Sequence, residues 1–528
     1  MRPTSLLVAE ELVPNVRGSA SESHPPLSVQ LAPDSVAIAD FLHDESKLAA
    51  ARVASLATPR SVDELRQVMT WHAALQHRVA VSGTRTGVVG GAVPEDGAHL
   101  VSLAELRGVL RVDETGESPT VTVLAGTWLS ELSEYLAAHH AGLAFPIDPT
   151  ERSASFGGMV STNAGGARSF RFGSIRSWVV GVTVELPSGR TLRLRRGVHR
   201  AAEGRLRLQD GAEERELAIA PIPKPSTKNA VGPGFAASGD ALDLWIGAEG
   251  TLGVISEVEV RLVRESGSRL GYLQFFGDVL AAFRFVEGLR ASSALQAIAI
   301  EFLDARSHAL ARESGRDGVE RVLRLAPPDA CSVFTEIDFE GDDALVAAIE
   351  ALDALVTSAG GDATASLAGT NERELKDIRA FRHAVPERVN AIIAQRREQH
   401  PGVHKIATDM SVPDGELHWI FGEYQRRLTA AGLDFAAFGH VGNNHFHVNM
   451  LPRDESEVAR ARTLYEALAR DVVARGGAVA AEHGIGRIKK AFLPVQYDAA
   501  VLRALRAVKS WVDPEWRLNP GILLDPAP

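Results

Sequence analysis

The chain has 528 residues, more than the roughly 250 to 300 at which one hydrophobic core stops growing, so at least two domains are expected. Its 67 acidic and 56 basic side chains leave a formal charge of -11, which disfavours nucleic acid as a partner. The single cysteine, Cys331, excludes an internal disulfide, a thiolate zinc site and an iron-sulfur cluster, so electrons taken up here must leave through another molecule.

At the N-terminus, residues 1–44 are expected to form a flexible tail. Residues 1–26 lack the basic start, apolar middle and cleavage site of a secretory signal, and no run of about 18 apolar residues occurs in the chain. We therefore expect a cytoplasmic protein without a transmembrane segment, which could also rest peripherally on the inner membrane.

The first periodic segment predicts a helix over residues 61–75, opened by a capping signal at Ser61, and a short strand over residues 78–82. A glycine-rich loop, SGTRTGVVGGAVP (residues 82–94), follows. Its glycines would let consecutive backbone N-H groups converge on an anion, although their spacing is not that of the dinucleotide-binding GxGxxG motif. Taken alone, the segment fits a plain surface loop equally well.

A second loop, residues 145–176, is rich in small and hydroxyl side chains, which cannot pack a core but can wrap a phosphate closely. Two strand-like runs follow, one over residues 179–194 with a hairpin turn at residues 187–189 and one over residues 244–262. The interruption between them, residues 195–240, is rich in arginine and could contact an anionic membrane or an acidic redox partner. Its interspersed acidic residues favour a solvated surface insertion.

The second half of the chain alternates strands and helices, with helices predicted over residues 279–291, 343–358 and 379–393. Near its end lie two histidine-bearing segments, GHVGNNHFHVN (residues 439–449) and AEHGIG (residues 481–486). The first predicts a hairpin that runs through residues 435–441, reverses at Asn443 and Asn444 and returns through residues 445–450. This register would place His440 directly across from His447.

Opposed residues of an antiparallel pair lie about 4.5 to 5.5 Å apart at Cβ, close enough for two imidazoles to share one divalent ion. Glu482 is the candidate third ligand, and its neighbour His483 would point elsewhere, toward a substrate. A single histidine is more often a hydrogen-bonded core or surface side chain than a metal ligand. Several candidate ligands that the hairpin would bring to one place favour a metal site. The returning strand alternates a polar face with a core face: His445, His447 and Asn449 against Phe446, Val448 and Met450.

From about residue 57 to its end the chain resembles the FAD-linked 2-hydroxy-acid dehydrogenases of the vanillyl-alcohol-oxidase superfamily, which include D-lactate and D-2-hydroxyglutarate dehydrogenases and the glycolate oxidase flavin subunit. The resemblance rests on SGTRTGVVGGAVP, FGGMVSTNAGGARSFRFG, IGAEGTLGVISEVEVRL, GHVGNNHFHVN, AEHGIGRIKK and DPEWRLNPGILL, which follow one another in the family's order.

The resemblance implies an α+β fold with three parts after the tail. A two-subdomain FAD-binding domain would span residues 45–265, with the insertion at 195–240. A substrate or cap domain with an antiparallel sheet and the metal site would span residues 266–490, and residues 491–528 would return to the FAD domain.

The family's site residues carry over position by position. The metal ligands would be His440, His447 and Glu482, the carboxylate-binding pair Arg382 and Lys405, the base His483, and a substrate contact Asn449. The ion would be zinc or manganese. Around FAD would lie Gly83, Thr84, Thr86, Gly87, Gly157, Gly158, Ser161, Thr162, Asn163, Gly165, Glu249, Gly250, Gly253, Ile255 and Asn519.

Three departures from the family pattern matter. Where relatives read GDGNxH, this chain has Gly442, Asn443, Asn444 and His445, which removes a carboxylate and adds an imidazole beside the site. The terminal motif has Ile522 where relatives usually have lysine, and the first loop offers no histidine for a covalent flavin link. We therefore expect FAD to be bound without a covalent bond.

The implied activity is oxidation of a D-2-hydroxy acid, D-lactate first, to the 2-oxo acid by hydride transfer to flavin. A divalent ion would acidify the hydroxyl and His483 would take its proton. Electrons would pass to a quinone, a cytochrome or an electron-transfer flavoprotein, and a homodimer is one option for the assembly. The alternatives are a D-2-hydroxyglutarate or glycolate dehydrogenase, a non-redox transferase like alkyl-dihydroxyacetonephosphate synthase, a non-catalytic electron-transfer subunit and a flavin-free zinc hydrolase.

Overall fold

The computed structural model of the protein describes residues 24–48, 52–210, 213–265 and 267–527. Of the tail predicted over residues 1–44, residues 1–23 lie outside this part. The remainder contains a strand, Val29–Leu31, that pairs antiparallel with Ser55–Ala57, so this stretch contributes an edge to a sheet.

The helices and strands up to residue 265 are, in chain order, β1 (Val29–Leu31), a 3-10 helix (Ala39–Phe41), β2 (Ser55–Ala57), α1 (Val62–Ala74), β3 (Val79–Ser82), β4 (His99–Ser102), β5 (Val109–Asp113), β6 (Thr120–Leu124), α2 (Leu129–His139), β7 (Leu143–Ala144), α3 (Phe156–Thr162), α4 (Ser169–Phe172), a 3-10 helix (Ile175–Ser177), β8 (Val179–Glu185), β9 (Thr191–Arg195), β10 (Arg205–Asp210), β11 (Glu213–Ala218), α5 (Leu242–Trp245), β12 (Val254–Arg261) and β13 (Val263–Arg264).

From residue 267 onward they are β14 (Ser268–Phe276), α6 (Val279–Ala291), β15 (Ala297–Leu303), α7 (Ala305–Arg312), α8 (Asp317–Leu323), β16 (Cys331–Phe339), α9 (Gly341–Ala359), β17 (Ser366–Gly369), α10 (Glu372–Gln399), β18 (Ile406–Ala407), β19 (Met410–Ser411), α11 (Leu417–Ala430), β20 (Phe435–Gly439), a 3-10 helix (Val441–Asn443), β21 (His445–Met450), α12 (Glu455–Ala474), a 3-10 helix (Lys490–Phe492), α13 (Leu493–Gln496) and α14 (Ala499–Val512). The predicted α+β class is confirmed.

The first sheet has four strands in the order β1-β2-β4-β3, in which β4 runs parallel to both β2 and β3. Strands that run in the same direction need a crossover, and α1 provides it between β2 and β3, which lie on either side of β4. The predicted helix is confirmed: the Ser61 side chain accepts the backbone N-H of Glu64 at 3.2 Å, as an N-cap does. Leu65, Val68 and Met69 form the buried face of α1.

The second sheet is antiparallel, with five strands in the order β5-β6-β12-β8-β9. The hairpin predicted at residues 187–189 is present between β8 and β9. The strand predicted over residues 244–262 is wrong in its first part, which forms α5 and a loop before β12 begins at Val254. Gly247, Gly250 and Gly253 have φ values of +85°, +71° and +138° there, which interrupts extended backbone.

The arginine-rich insertion contains a two-stranded antiparallel hairpin, β10 and β11. Its arginines are neutralised locally: Arg205 and Arg207 contact the carboxylate of Glu216 at 2.5 and 2.9 Å. Arg195 contacts Glu259 at 2.5 Å. These ion pairs favour the interpretation of a solvated surface insertion.

The third sheet is antiparallel and contains eight strands, with the order β17-β14-β16-β15-β20-β21-β18 and β19 paired to β21. Helix α6 occupies the residues predicted for it, and α9 and α10 extend beyond theirs. The core side of β21 is buried as predicted, at Phe446, Val448 and Met450. None of the described helices combines the length and hydrophobicity needed to cross a lipid bilayer.

Candidate active site and cofactor cleft

The hairpin formed by β20 and β21 carries three histidines. Its register pairs Phe438 with His447, so the prediction that His440 lies directly across from His447 is wrong. Gly439 ends the strand at φ +140°, and a 3-10 turn over residues 441–443 carries the chain round to Asn444 at φ +50°. The rings of His440 and His447 still lie 5.4 Å apart, because the turn folds His440 back over the returning strand.

Four side chains converge at this turn. One ligand atom from each of His440, His445, His447 and Glu482 lies within 4.8 Å of the others. Nε2 of His440 lies 3.0 Å from Oε2 of Glu482, and Nδ1 of His445 lies 3.7 Å from the same oxygen. The structure therefore brings together the three predicted ligands and adds His445.

Neighbouring charges decide the protonation of this cluster. Burial lowers the pKa of His440, but the carboxylates of Glu301 and Glu482 outweigh it and raise the pKa to about 9. Burial raises the pKa of Glu482, but Lys228 and His440 hold it well below its usual range. Burial and the neighbouring histidines lower the pKa of His447 well below its usual value. The cluster thus combines a carboxylate with a neutral imidazole at neutral pH.

The donor set fits a divalent ion. Three imidazoles and one carboxylate are ligands that zinc and manganese accept. Nε2 of His445 lies 3.1 Å from Oδ1 of Asp409, whereas its Nδ1 is buried without a hydrogen-bond partner in the described part of the chain. Nδ1 of His440 contacts Glu301 at 2.6 Å, the outer carboxylate contact that commonly orients a ligating imidazole. Nζ of Lys228 lies 3.0 Å from Glu482, so an ion would replace this ammonium as the counter-charge of the carboxylate.

His483 lies beside the cluster on the loop of residues 481–486. Its ring stacks on that of His447, with centroids 5.1 Å apart and planes inclined by 12°. The completely buried carboxylate of Asp409 accepts the backbone N-H groups of Glu482 at 3.1 Å and His483 at 3.0 Å, and also contacts Lys489. Burial raises the pKa of Asp409, but the charges of His483 and Lys489 hold it well below its usual range.

The remaining predicted catalytic residues lie around the same hairpin. Nη2 of Arg382 contacts Glu301 at 3.1 Å, which connects this arginine to His440. Asn449 is buried on β21, and its Nδ2 donates to the carbonyl of His447 at 3.0 Å. Lys405 directly precedes β18, whose Ala407 pairs with Asn449, and its Nζ contacts the side-chain oxygen of Asn390 at 3.3 Å.

The first glycine-rich loop offers free backbone donors. Within the described part of the chain, the N-H groups of Arg85, Thr86 and Gly87 donate to no acceptor, and the space around Gly87 is open. A Cβ on Gly83 would lie 2.5 Å from Oγ of Ser155, so the two glycine-rich segments approach to a distance that only glycine permits. Such a cradle fits a pyrophosphate.

The second segment contains a short helix, α3, where a loop was predicted. A Cβ on Gly157 would lie 2.8 Å from the Cβ of Ala125, so this glycine seats α3 on the five-stranded sheet. Two predicted cofactor contacts are engaged elsewhere. The Thr162 hydroxyl donates to the Gly158 carbonyl at 3.0 Å, and the Asn163 side chain bonds the carbonyl of Asn229 and the hydroxyl of Ser174.

A third contact region joins the flavin loops to the histidine loop. The buried carboxylate of Glu249 accepts the N-H groups of Ile485 and Gly486, both at 2.7 Å. The Asn519 side chain donates to the Glu249 carbonyl at 2.8 Å and accepts the N-H of Val81 at 2.7 Å. A Cβ on Gly250 would lie 2.4 Å from Nδ2 of Asn519. Residues 481–486 are thus held by Asp409 on one side and Glu249 on the other.

Sequence reasoning did not single out Asp409, Glu301 or Lys228. Asp409 and Glu301 are charged residues in mostly apolar or small-residue stretches, IATDMSV and AIEFL. That pattern indicates a buried charge, which requires a partner, and could have marked the first two positions. No comparable pattern surrounds Lys228.

Two family models match the chain. The model of FAD binding domains matches residues 53–195, and the model of the C-terminal domain of FAD linked oxidases matches residues 268–523. Similar relatives include a D-2-hydroxyglutarate dehydrogenase of Xanthomonas citri pv. viticola, 29% identical over 89% of each chain. A D-lactate dehydrogenase of Anaerostipes hadrus is 28% identical over 91% of this chain and 92% of that one.

The fold has counterparts among solved structures. A structure of p-cresol methylhydroxylase with substrate bound superposes with a TM-score of 0.68, covering 94% of each chain at 15% identity. At this identity the likeness concerns the fold alone. It agrees with the predicted fold class, a flavin-binding domain followed by an α+β domain with an antiparallel sheet.

Proposed function

The chain belongs to the FAD-linked oxidases, and we propose that it oxidises a D-2-hydroxy acid, D-lactate first, to the 2-oxo acid. One observation carries the proposal: His483, held by Asp409, stacks on His447 of the ligand cluster, and its loop is bonded to Glu249 of the flavin region. A proton acceptor, an ion site and a cofactor cleft thereby meet at one loop. The relatives named as D-2-hydroxyglutarate and D-lactate dehydrogenases support the reaction class.

FAD and a divalent ion would supply the chemistry that the side chains lack. When bound, FAD accepts the hydride that leaves the α-carbon. When bound, a divalent ion, zinc or manganese in this proposal, lowers the pKa of the substrate hydroxyl toward neutrality. The ion would be held by His440, His445, His447 and Glu482, and the FAD pyrophosphate by the loop around Gly87.

His483 is proposed to take the hydroxyl proton. Burial lowers its pKa, Asp409 raises it, and the charges of Lys489 and Lys405 lower it, with a net decrease from the usual value. The ring is therefore neutral at neutral pH and can accept a proton. Once protonated, it would be stabilised by the Asp409 carboxylate, whose Oδ2 lies 3.7 Å from Nδ1 of His483.

Arg382 and Lys405 are proposed to hold the substrate carboxylate. An arginine can bind a carboxylate through two parallel hydrogen bonds, whereas a lysine acts as a point charge. Asn449, on the same strand as His447, would contact the substrate from the polar face of β21. These three side chains would orient the α-carbon hydrogen toward the flavin cleft.

The distribution of cations favours a monocarboxylate. Lys228 is bound to Glu482, Lys489 to Asp409 and Arg382, through Nη2, to Glu301. Among the described residues, Nζ of Lys405 contacts the Asn390 amide oxygen and no carboxylate. One small carboxylate satisfies Arg382 and Lys405 together. A second carboxylate, as in D-2-hydroxyglutarate, would need another unpaired cation. D-lactate therefore ranks before D-2-hydroxyglutarate, whereas the third place of glycolate rests on the family resemblance and not on these cations.

The test is reduction of the bound flavin without oxygen. The purified protein is mixed with D-lactate, L-lactate, D-2-hydroxyglutarate or glycolate, and the flavin absorbance near 450 nm is followed. D-lactate should bleach the flavin fastest and L-lactate should leave it oxidised. Faster bleaching by D-2-hydroxyglutarate would overturn the substrate ranking, and no bleaching by any of the four would overturn the dehydrogenase.

The electrons are proposed to pass to a quinone, a cytochrome or an electron-transfer flavoprotein. The protein is proposed to be cytoplasmic and, if the acceptor is a quinone, to bind peripherally to the inner membrane. The lone Cys331 supports an external acceptor, because the chain cannot build an iron-sulfur relay of its own. Mixing the reduced protein with each acceptor and recording the return of the oxidised flavin spectrum identifies the partner. Reoxidation by oxygen alone at the full turnover rate would contradict an external carrier.

A further inference from the structure

A second group of histidines lies outside the candidate active site, on the four-stranded sheet. His72 belongs to the last turn of α1, His77 to the connection between α1 and β3, and His99 begins β4. One nitrogen of each ring lies within 4.8 Å of the others. Gln76, at φ +54°, turns the chain so that His77 comes back over the sheet.

The nitrogens of His72 and His77 lie about as far apart as two ligand atoms on one ion. Nδ1 of His72 lies 3.1 Å from Nδ1 of His77. Two nitrogens on a tetrahedral zinc ion, with Zn-N distances of ~2.0 to 2.1 Å, are about 3.3 Å apart. The rings of His77 and His99 are stacked, with centroids 3.7 Å apart and planes inclined by 8°. Because a ligating lone pair lies in the plane of its ring, one of these two rings would rotate out of the stack to bind the same ion.

The surroundings resemble those of a metal site. Nδ1 of His99 bonds the hydroxyl of the buried Ser55 at 2.8 Å. When Nδ1-H donates to this hydroxyl, Nε2 carries the lone pair that an ion needs, as with the outer contacts of ligating histidines generally. His72 is only 1% exposed, and its Nε2 has no hydrogen-bond partner in the described part of the chain. With Nδ1 facing His77, Nε2 is the protonated nitrogen of this ring when Nδ1 binds an ion.

A small cavity lies against the cluster. Its volume is about 10 Å³, and His72, His77, Met69, Pro187 and Arg517 are among its lining residues. A space of about 10 to 15 Å³ holds one water-sized occupant, so an ion fits where a larger ligand does not. The guanidinium of Arg517 opposes a cation here, which favours ions that bind imidazole strongly over ions held by charge alone.

The protonation state is the one that ligands require. Burial, with the neighbouring histidines, lowers the pKa of His72 to about 3 and that of His99 to about 4. Burial and Arg517 lower the pKa of His77. All three rings are therefore neutral at neutral pH, and an ion would not have to displace a proton from an imidazolium.

We propose that His72, His77 and His99 form a second binding site for a transition-metal ion, Zn²⁺, Cu²⁺ or Ni²⁺, separate from the cluster at His440. The ion would tie the end of α1 to β3 and β4. Strand β3 leads directly into the glycine-rich loop after Ser82, and Val79 donates to the carbonyl of Arg517 at 2.9 Å. The site thereby stabilises the strand that carries the flavin loop. Ion binding at this site is independent of the proposed function.

The first test is the number of ions bound per chain. The flavoprotein is freed of metal with a chelator, incubated with Zn²⁺, passed through a desalting column and analysed for metal. A double variant, His77→Ala with His99→Ala, should bind one ion fewer than the wild type. The matched control is His139→Ala, a ring stacked on Tyr135 at the end of α2, and it should keep the wild-type count. Because the difference between variants is measured, ion binding at His440 does not affect the result.

The second test uses the indole of Trp71, whose ring centroid lies 4.7 Å from that of His72 and 4.9 Å from that of His77. Cu²⁺ quenches the fluorescence of an adjacent tryptophan. Quenching in the wild type should exceed that in Trp71→Phe and in the double variant, and Mg²⁺ should leave the signal unchanged.

Equal ion counts and equal quenching in the wild type and the double variant would overturn the site. Should the double variant lose its flavin, the single variant His77→Gln decides the question. Its ring is half-buried at the surface connection, so its loss changes ion affinity with little effect on the core. An unchanged Zn²⁺ affinity in His77→Gln would then reject the proposal.

Discussion

Oδ2 of Asp409 accepts the backbone N-H of His483 at 3.0 Å and lies 3.7 Å from Nδ1 of the same residue. One carboxylate therefore bonds the backbone of the proposed base and lies close to its imidazole ring. Because Asp409 also contacts His445 at 3.1 Å and Lys489, it connects the base to the ligand cluster. Asp409 is a positioning residue in this arrangement.

Asp409→Asn should slow flavin reduction by about 10- to 100-fold, the range found when an outer contact of a metal or catalytic group is removed. The amide oxygen can still accept one of the two backbone N-H groups, and Glu249 still bonds residues 485 and 486, so the flavin content should stay normal. The carboxylate raises the pKa of His483. Its removal should therefore move the acidic limb of the kcat/KM profile to lower pH. A slower variant whose acidic limb of the kcat/KM profile has not moved would indicate a purely structural role for Asp409. The control is Asp377→Asn, at a surface ion pair with Arg321, which should behave as the wild type.

His483→Ala should lower the rate of flavin reduction by about 10²- to 10⁴-fold, the usual contribution of a general base. The flavin spectrum should be unchanged, because Glu249 bonds the backbone of residues 485 and 486 and not the His483 ring. Stopped-flow reduction by D-lactate measures the effect. His400→Ala, a half-exposed ring paired with Glu455, should behave as the wild type. Near-normal reduction in His483→Ala would remove this residue as the base.

Chelation should inactivate the protein, and Zn²⁺ or Mn²⁺ should restore it. If His445 is a fourth ligand, His445→Ala should raise the ion concentration for half-maximal restoration by about 10- to 100-fold. Retention of full activity in excess chelator would reject the ion site. The variant His139→Ala, at an exposed ring outside both histidine groups, should give the restoration curve of the wild type.

The fold was predictable where the pattern is local. The alternation of polar and apolar residues in β21 predicted its buried side, and the spacing in α6 predicted its bounds. The register of the histidine hairpin was not predictable, because it depends on Gly439 at φ +140°. Glycine permits this conformation but does not require it.

The candidate site was predictable only for residues within recognisable motifs. Lys228 reaches Glu482 across 254 positions of the chain, and Glu301 reaches His440 across 139. The first contact follows from how the two halves pack and the second from the pairing of β15 with β20, and no local pattern encodes either. The third imidazole, His445, was visible as a departure from the family motif and was placed on the polar face of β21 with His447, but it was not predicted as a ligand.

Arg382→Met should raise the KM for D-lactate by about 10-fold or more, since a charged hydrogen bond contributes about 1.5 to 3 kcal/mol. Lys405→Met should have a similar but smaller effect because a lysine makes no bidentate contact. Arg379→Met is the matched control on the same helix, at an exposed pair with Glu372. An unchanged KM in both Arg382→Met and Lys405→Met would show that the carboxylate binds elsewhere.

His308 should make stability depend on pH independently of the active site. Burial, with a smaller effect of Arg312, lowers its pKa to about 3, and Nε2 bonds the Ser332 hydroxyl at 2.8 Å. The unfolded chain binds a proton near pH 6.5 and the folded chain does not, so this stability is complete above pH 6.5 and declines as the pH falls toward 3. At pH 5 the decline attributable to His308 is roughly 2 kcal/mol.

Replacing His308 by glutamine removes the titration and keeps a side chain that can bond Ser332. The free energy of unfolding from urea titrations at pH 7 and pH 5 should therefore fall less between the two values in His308→Gln than in the wild type. His139→Gln, at an exposed ring, should retain the wild-type decline. An equal decline in His308→Gln and the wild type would mean that His308 does not couple protonation to folding, and that the remaining buried histidines, His72 among them, account for the pH dependence.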